Sequence, residues 1–354
     1  MRLIDNYISP ALNIMNTNEY MLQLHKRLLE KTYGTPPRQM GENTASAYIK
    51  TLYNLNDKKP FKNLAFLKKS DDIMKKISEY AESTQKTLIS TLASVLSLEK
   101  DKTGYKKTYK FYYDKMMEKS KSANEVDTSK KTTKQEDNWI EWDKVMEKYN
   151  EMSKEALSNK KATLETLLPV VVLGLYTESP PRRNQDYLQM VVARVYKKTK
   201  LEDLPTDKNY LTLDTTGNPK EFIFNKYKTS KTYGKQVIPI NKNLSVVLKA
   251  YFKVHPLAKD KKNKEFAFLI GPDSHPITAD NSITRILNKI FGKNVGSSML
   301  RHIYLSSKYN INSMTADSEA MAHSLTQQKD YLKGSSLPVV SPSQLSDSDS
   351  EKEC

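Results

Sequence analysis

Apolar residues recur every three or four positions along most of this chain, and the rhythm stops only at short polar or proline-bearing stretches. In NEYMLQLHKRLLEK, Tyr20, Leu24 and Leu28 fall four apart and predict a helix over 18–31, with YGTPPRQMGEN after it as a loop. Residues 1–43 read as an N-terminal arm. From 44 a helical block begins: Tyr48, Leu52 and Leu55 share one face, and Leu64, Leu67, Ile73, Ile77 and Tyr80 follow the break at Lys59–Pro60. Ser83 or Thr84 can cap a third helix striped by Leu88, Leu92, Val95 and Leu96, and Tyr112 and Met116 mark a fourth over 108–120. The block predicts a small all-helical domain over 44–122, its solvent faces rich in lysine.

Residues 123–138 read as a linker, because KSANEVDTSKKTTKQED carries almost no apolar side chain. A second domain is predicted over 139–335. Trp139, Trp142 and Met146 open its first helix, and a strongly apolar helix over 163–176 contains Pro169, placed to kink it. Strand-like runs follow at 187–195, 210–213, 222–227 and 236–240, then helices at 243–253, 280–291 and from 297. The predicted class is α+β and mainly helical, an all-helical domain followed by a helical one with a small antiparallel sheet. Neither a GxGxxG nor a GxxxxGK[ST] run occurs, so nucleotide-binding βαβ folds do not fit. Residues 336–354 are serine-rich and acidic at the end and read as a disordered, solubilising tail. Phosphorylation at Ser346, Ser348 or Ser350 would add negative charge there.

The formal net charge of +16 points to a polyanionic partner: DNA, RNA or an anionic membrane surface. The best apolar run, 167–176, is far too short to span a bilayer, so no membrane is expected. The one cysteine, Cys354, rules out an intramolecular disulfide framework and zinc sites built on paired cysteines, and fits a reducing compartment. The N-terminus MRLIDNYISP has no apolar signal core, so the expected location is intracellular rather than secreted.

The chemistry collects near the C-terminal end of the second domain. SSMLRH carries Arg301 and His302, AHS carries His323, and Tyr331 follows eight residues later. A basic cluster with one tyrosine is what a phenol oxygen needs to attack a phosphodiester and have the developing charge held. Two further clusters lie upstream: Arg182 and Arg183 in SPPRRNQDYLQM, with Asp186, and the lysines of NKYKTSKTYGKQVIPI.

In order and spacing these four clusters resemble the catalytic domain of the tyrosine recombinases, the phage integrase family, over about 139–335. The helical block at 44–122 resembles the family's core-binding domain, and NKYKTSKTYG is most similar to integrases of large DNA viruses, virophages and related mobile elements. The resemblance implies a site-specific DNA recombinase that cuts and rejoins strands through a 3′-phosphotyrosine. It implies action on double-stranded DNA as a homotetramer, with no metal, ATP or other cofactor.

It assigns Tyr331 as nucleophile and Arg183, Arg301 and His323 as stabilisers of the scissile phosphate. Arg183 is favoured over Arg182 because Asp186 stands where the family usually has an acid; Arg182 is left for DNA backbone contact. A lysine between 224 and 240 protonates the leaving 5′-oxygen. Lys228 and Lys231 both qualify, Lys228 narrowly ahead, with Lys226 and Lys235 fitting less well. His302 is assigned to supporting the helix end. Three departures stand out: Ser298 where the family usually has histidine or lysine, Ala322 where it usually has glycine, and a His-to-Tyr spacing one shorter than in many members. A type IB topoisomerase, or a DNA-binding relative that has lost catalysis, is the competing reading.

Overall fold

A computed structural model of the chain describes residues 18–34, 37–124, 130–195, 204–260, 262–307 and 321. The fold is α+β and mainly helical, and the chain divides into two compact units between Asp127 and Thr128. None of the described helices is long and apolar enough to cross a membrane.

The first unit contains α1 (Glu19–Glu30), a short hairpin β1 (Thr32–Tyr33) and β2 (Arg38–Gln39), α2 (Glu42–Leu55), a 3-10 turn at Ala65–Lys68, α3 (Ser70–Ser78), α4 (Glu82–Leu96) and α5 (Lys106–Asn124). The hairpin lies in the stretch expected as arm and loop, ahead of the block expected as all-helical over 44–122, whose described elements are all helices. The helix expected at 18–31 forms, capped by the Asn18 side chain at Met21 N–H, but it is no arm. Met21, Leu24 and Leu28 enter the same core as Ile49, Leu52, Leu92, Val95 and Tyr112. Arg27 reaches Glu99, which is 3% exposed, at 2.5 Å and ties α1 to the end of α4. Tyr80, expected on an inward face, is largely exposed instead. Helix α4 starts at Glu82, because the Ala81 carbonyl takes the first amides and no side-chain cap is made.

The second unit runs α6 (Thr133–Asn138), α7 (Trp142–Ser158), α8 (Leu164–Thr177), α9 (Gln185–Leu188), β3 (Val191–Arg194), β4 (Tyr210–Leu213), β5 (Pro219–Phe224), α10 (Ser230–Tyr233), β6 (Gln236–Pro239), α11 (Lys242–Val254), α12 (Pro256–Lys259), β7 (Glu265–Ala267), α13 (Ser282–Phe291) and α14 (Ser297–Ser307). Helix α6 lies inside the stretch expected as linker. A capping box between Thr132 and Gln135 starts it. Its end is fastened where Asn138 Oδ1 accepts from Asn294 N–H at 2.7 Å, just ahead of α14.

Helix α8 is the axis of the unit. It is apolar around its whole circumference, and every residue from Val170 to Tyr176 is buried against α7, α11 or α13. Close approach is built in: a Cβ on Gly174 would lie 3.0 Å from Leu244 and 3.1 Å from Tyr149. The sheet has strand order β6-β5-β4-β3-β7. It is mixed, not antiparallel as expected, because β3 and β4 run parallel with Val191 opposite Tyr210. The first half of the strand expected at 187–195 is the single turn α9 instead, since the amides of Asp186, Tyr187 and Leu188 bond back to Arg183 and Asn184 carbonyls.

The β4–β5 turn is organised by Asp214. Its carboxylate accepts from Thr216 N–H (2.9 Å), Thr216 Oγ1 (2.6 Å), Asn218 N–H (2.8 Å) and Asn218 Nδ2 (3.3 Å), while Gly217 takes φ +84°. Desolvation raises its pKa, but these hydrogen bonds outweigh that and hold it at about 2. A folded pKa below the unfolded value of about 3.9 means this stabilisation is present above pH 4 and fades as pH falls toward 2. Comparing urea midpoints of wild type and Asp214→Asn from pH 5 to pH 2 should show a gap that closes across that window. A gap independent of pH would exclude the carboxylate as its source.

Candidate functional site

The loop between α8 and α9 carries both arginines of the first cluster, after Pro180 and Pro181 end the helical run. Arg182 is 1% exposed and forms an ion pair with Asp186, also 1% exposed, with Nε 2.8 Å from Oδ2. Its Nη1 donates to Gln236 Oε1 at 2.7 Å, and its guanidinium lies 3.9 Å from the Phe224 ring centre and 5.0 Å from that of Tyr227. Arg182 therefore pins β5, the following connection and β6 to the arginine loop. The acid that favours Arg183 in the sequence pairs with its neighbour: Asp186, on α9, takes Arg182 from the loop four residues earlier.

Arg183 is half-buried, its carbonyl accepting the Asp186 amide at 3.0 Å. From the far end of the unit, α14 brings in Arg301, 6% exposed between Leu300 and His302. All three arginines act electrostatically on the Asp186 carboxylate. Burial raises the Asp186 pKa, and Arg182, Arg183 and Arg301 all pull against that rise. Beside them, burial pushes Tyr176 and Tyr187 well above the ordinary phenol range, so both remain neutral. Tyr176 donates to Asn184 Oδ1 at 2.8 Å, and Asn184 Nδ2 donates to Thr284 Oγ1 at 3.0 Å, linking the loop to α13.

Ser298, exposed, and His302, half-buried, line a cavity of about 340 Å³ with Ser297, Gly296, Thr284, Asn288, Lys134 and Gln135. Lys228 and Lys231 are exposed on the β5–β6 connection, Lys231 within α10. Tyr227 fastens this connection across its own neck, donating to the Gly234 carbonyl at 2.6 Å.

His323 and Tyr331 lie outside the described residues, as does Tyr309. Tyr304, a competing tyrosine, is 6% exposed and packs edge-on against Trp142 at 5.1 Å, which assigns it to the core. Met321, two residues ahead of His323, is fully buried against Tyr304, Leu305 and Trp142. Asn209, which no sequence motif marks, makes four side-chain hydrogen bonds between the Asp186 turn and the lysine connection. A lone asparagine ahead of a strand reads as turn residue, so no sequence signal separates it.

No protein-family model matches the chain, and a search of curated proteins finds no match.

Proposed function

We propose that this chain is a DNA strand-transfer enzyme of the tyrosine recombinase type, cutting and rejoining double-stranded DNA through a 3′-phosphotyrosine. The observation that carries the reading is the buried Arg182–Asp186 ion pair with Arg183 next in the chain and Arg301 buried on α14, both of which also act electrostatically on the Asp186 carboxylate. Asp186 pairs with Arg182, and Arg183 and Arg301 come to the same neighbourhood from elements far apart in sequence. A phosphodiester carries one negative charge and its pentacoordinate transition state two, so fixed guanidiniums at the phosphate favour the transition state over the ground state. A guanidinium fork suits paired non-bridging oxygens.

In this mechanism the Tyr331 oxygen bonds to phosphorus and the P–O5′ bond breaks. A lysine ammonium on the β5–β6 connection, Lys228 or Lys231, gives its proton to the departing O5′, and the phenol proton passes to solvent. Attack by a 5′-hydroxyl on the phosphotyrosine reverses the steps and rejoins a strand. His323 adds a donor to a non-bridging oxygen. Met321, two residues earlier in the sequence, is buried against Tyr304 and Leu305 of the helix that carries Arg301. The reading extends to action as a homotetramer on DNA, with the lysine-rich first unit as a second DNA-binding module.

Incubating wild type and Tyr331→Phe with nicked duplexes, then denaturing, tests the proposal. A denaturation-resistant adduct formed by wild type alone, mapped by peptide mass to Tyr331, is expected. Equal DNA binding by both proteins with no adduct from either would reduce the chain to a DNA-binding protein.

A further inference from the structure

The β5–β6 connection carries both lysines able to serve as general acid, yet the residue that holds its start lies on neither strand. Asn209, 6% exposed, sits immediately ahead of β4, its carbonyl accepting Val191 N–H at 2.9 Å. Its Nδ2 donates to the carbonyls of Asp186 and Lys226, each at 2.9 Å. Its Oδ1 accepts the amides of Asn225 (2.9 Å) and Lys226 (2.7 Å). A side-chain amide has two donor hydrogens and two acceptor lone pairs, and all four are used here. The capture of the 225 and 226 amides also explains why β5 stops at Phe224 rather than running to 227. Asn225 adds a second tie, donating from Nδ2 to the Lys208 carbonyl at 2.9 Å.

We propose that Asn209 is the positioning residue for the general acid, setting the lysine connection at a fixed place relative to the Asp186 turn and so to Arg183. The inference rests on the strand-transfer reading above. Lys228 follows the clamped Lys226 by two residues and Lys231 by five, and both are exposed, so packing of their own side chains does not hold them. A proton donor must lie within hydrogen-bond reach of the oxygen it serves, and the fixed origin of the connection supplies that constraint. Arg182 ties down the far side of the same connection at Gln236, whereas Asn209 bonds to both the Asp186 turn and the 225–226 backbone.

The test replaces the leaving atom. With an ordinary DNA strand the P–O5′ bond breaks and the alkoxide needs the lysine proton. With a bridging 5′-sulfur the P–S bond breaks and a thiolate, a far weaker base, departs without one. Single-turnover adduct formation is measured on both substrates for wild type, Asn209→Ala, Asn209→Asp and Asp214→Asn. Asn209→Ala should be slowed about a hundredfold on the oxygen substrate and stay within about threefold of wild type on the sulfur substrate. Asn209→Asp keeps the acceptor for the two amides but loses both donated bonds, and should fall between. Asp214→Asn, a lesion at the other end of β4, should treat the two substrates alike.

Equal slowing of the Asn209 variants on both substrates, whether from misfolding or from a distorted phosphate site, would overturn the positioning role. So would a normal rate on the oxygen substrate. A wild type that forms no adduct with either substrate would bring down the strand-transfer reading itself, an outcome visible before any variant is compared. The same two substrates sort the lysines: the true acid is the one whose alanine variant the sulfur rescues.

Discussion

Arg301→Ala should lower the single-turnover rate of covalent adduct formation about a thousandfold, the scale seen when one preorganised charge-stabilising donor is removed. The side chain is 6% exposed on α14 between the buried Leu300 and Ile303, so the helix supplies the rigidity and the guanidinium the charge. Substitution by lysine keeps a positive charge but not the planar fork, and should recover no more than about tenfold of the loss. DNA affinity should stay within about threefold of wild type, because affinity is spread over many phosphate contacts. Quenched time courses with labelled nicked DNA give the rate, and a binding titration at fixed salt gives the affinity. An alanine variant that cleaves within about tenfold of wild type would remove Arg301 from the phosphate site.

Arg182→Ala should do its damage to the fold. The variant leaves the Asp186 carboxylate buried without its partner and strips a stacked guanidinium from Phe224 and Tyr227. Breaking a buried ion pair from one side costs about 3–5 kcal/mol. The double variant Arg182→Met, Asp186→Leu should recover much of that, since removing both charges avoids the unpaired one. Both tryptophans of the chain, Trp139 and Trp142, belong to the second unit, so their fluorescence in a urea titration reads that unit alone. A loss below about 1 kcal/mol for the single variant would mean that water reaches the site and Arg182 pins nothing.

Sequence pattern alone located most of the elements and few of the contacts between them. The four-residue repeats of α1 and α2 and the β-prone run Tyr210–Leu213 were legible because burial on one face leaves a period in the residues. Strand β7 was not: Glu265–Ala267 is three residues long and follows a lysine-rich stretch, too short for alternation to show. The parallel pairing of β3 with β4 was hidden for another reason, since strand direction depends on the path of the connecting chain and not on the pattern within a strand. In the candidate site the clusters themselves were legible, while the division of labour between Arg182 and Arg183 was not. Adjacent residues in the loop ahead of α9 look equivalent beside Asp186 in the sequence, and the packing of Phe224 and Tyr227 around Arg182 makes the choice. Helix α1 shows the same limit, its amphipathic stripe legible and its destination in the core not.

Helix α6 has a mechanical consequence. It is tied at its far end to the turn ahead of α14, through Asn138 to Asn294 and through the Asp137 carbonyl to Lys293, and its Lys134 and Gln135 form one wall of the cavity that Ser298 and His302 share. The end of α6 is thus moored seven residues upstream of Arg301. A pull on α6 is delivered at that mooring, against the start of α14, the helix on which Arg301 sits.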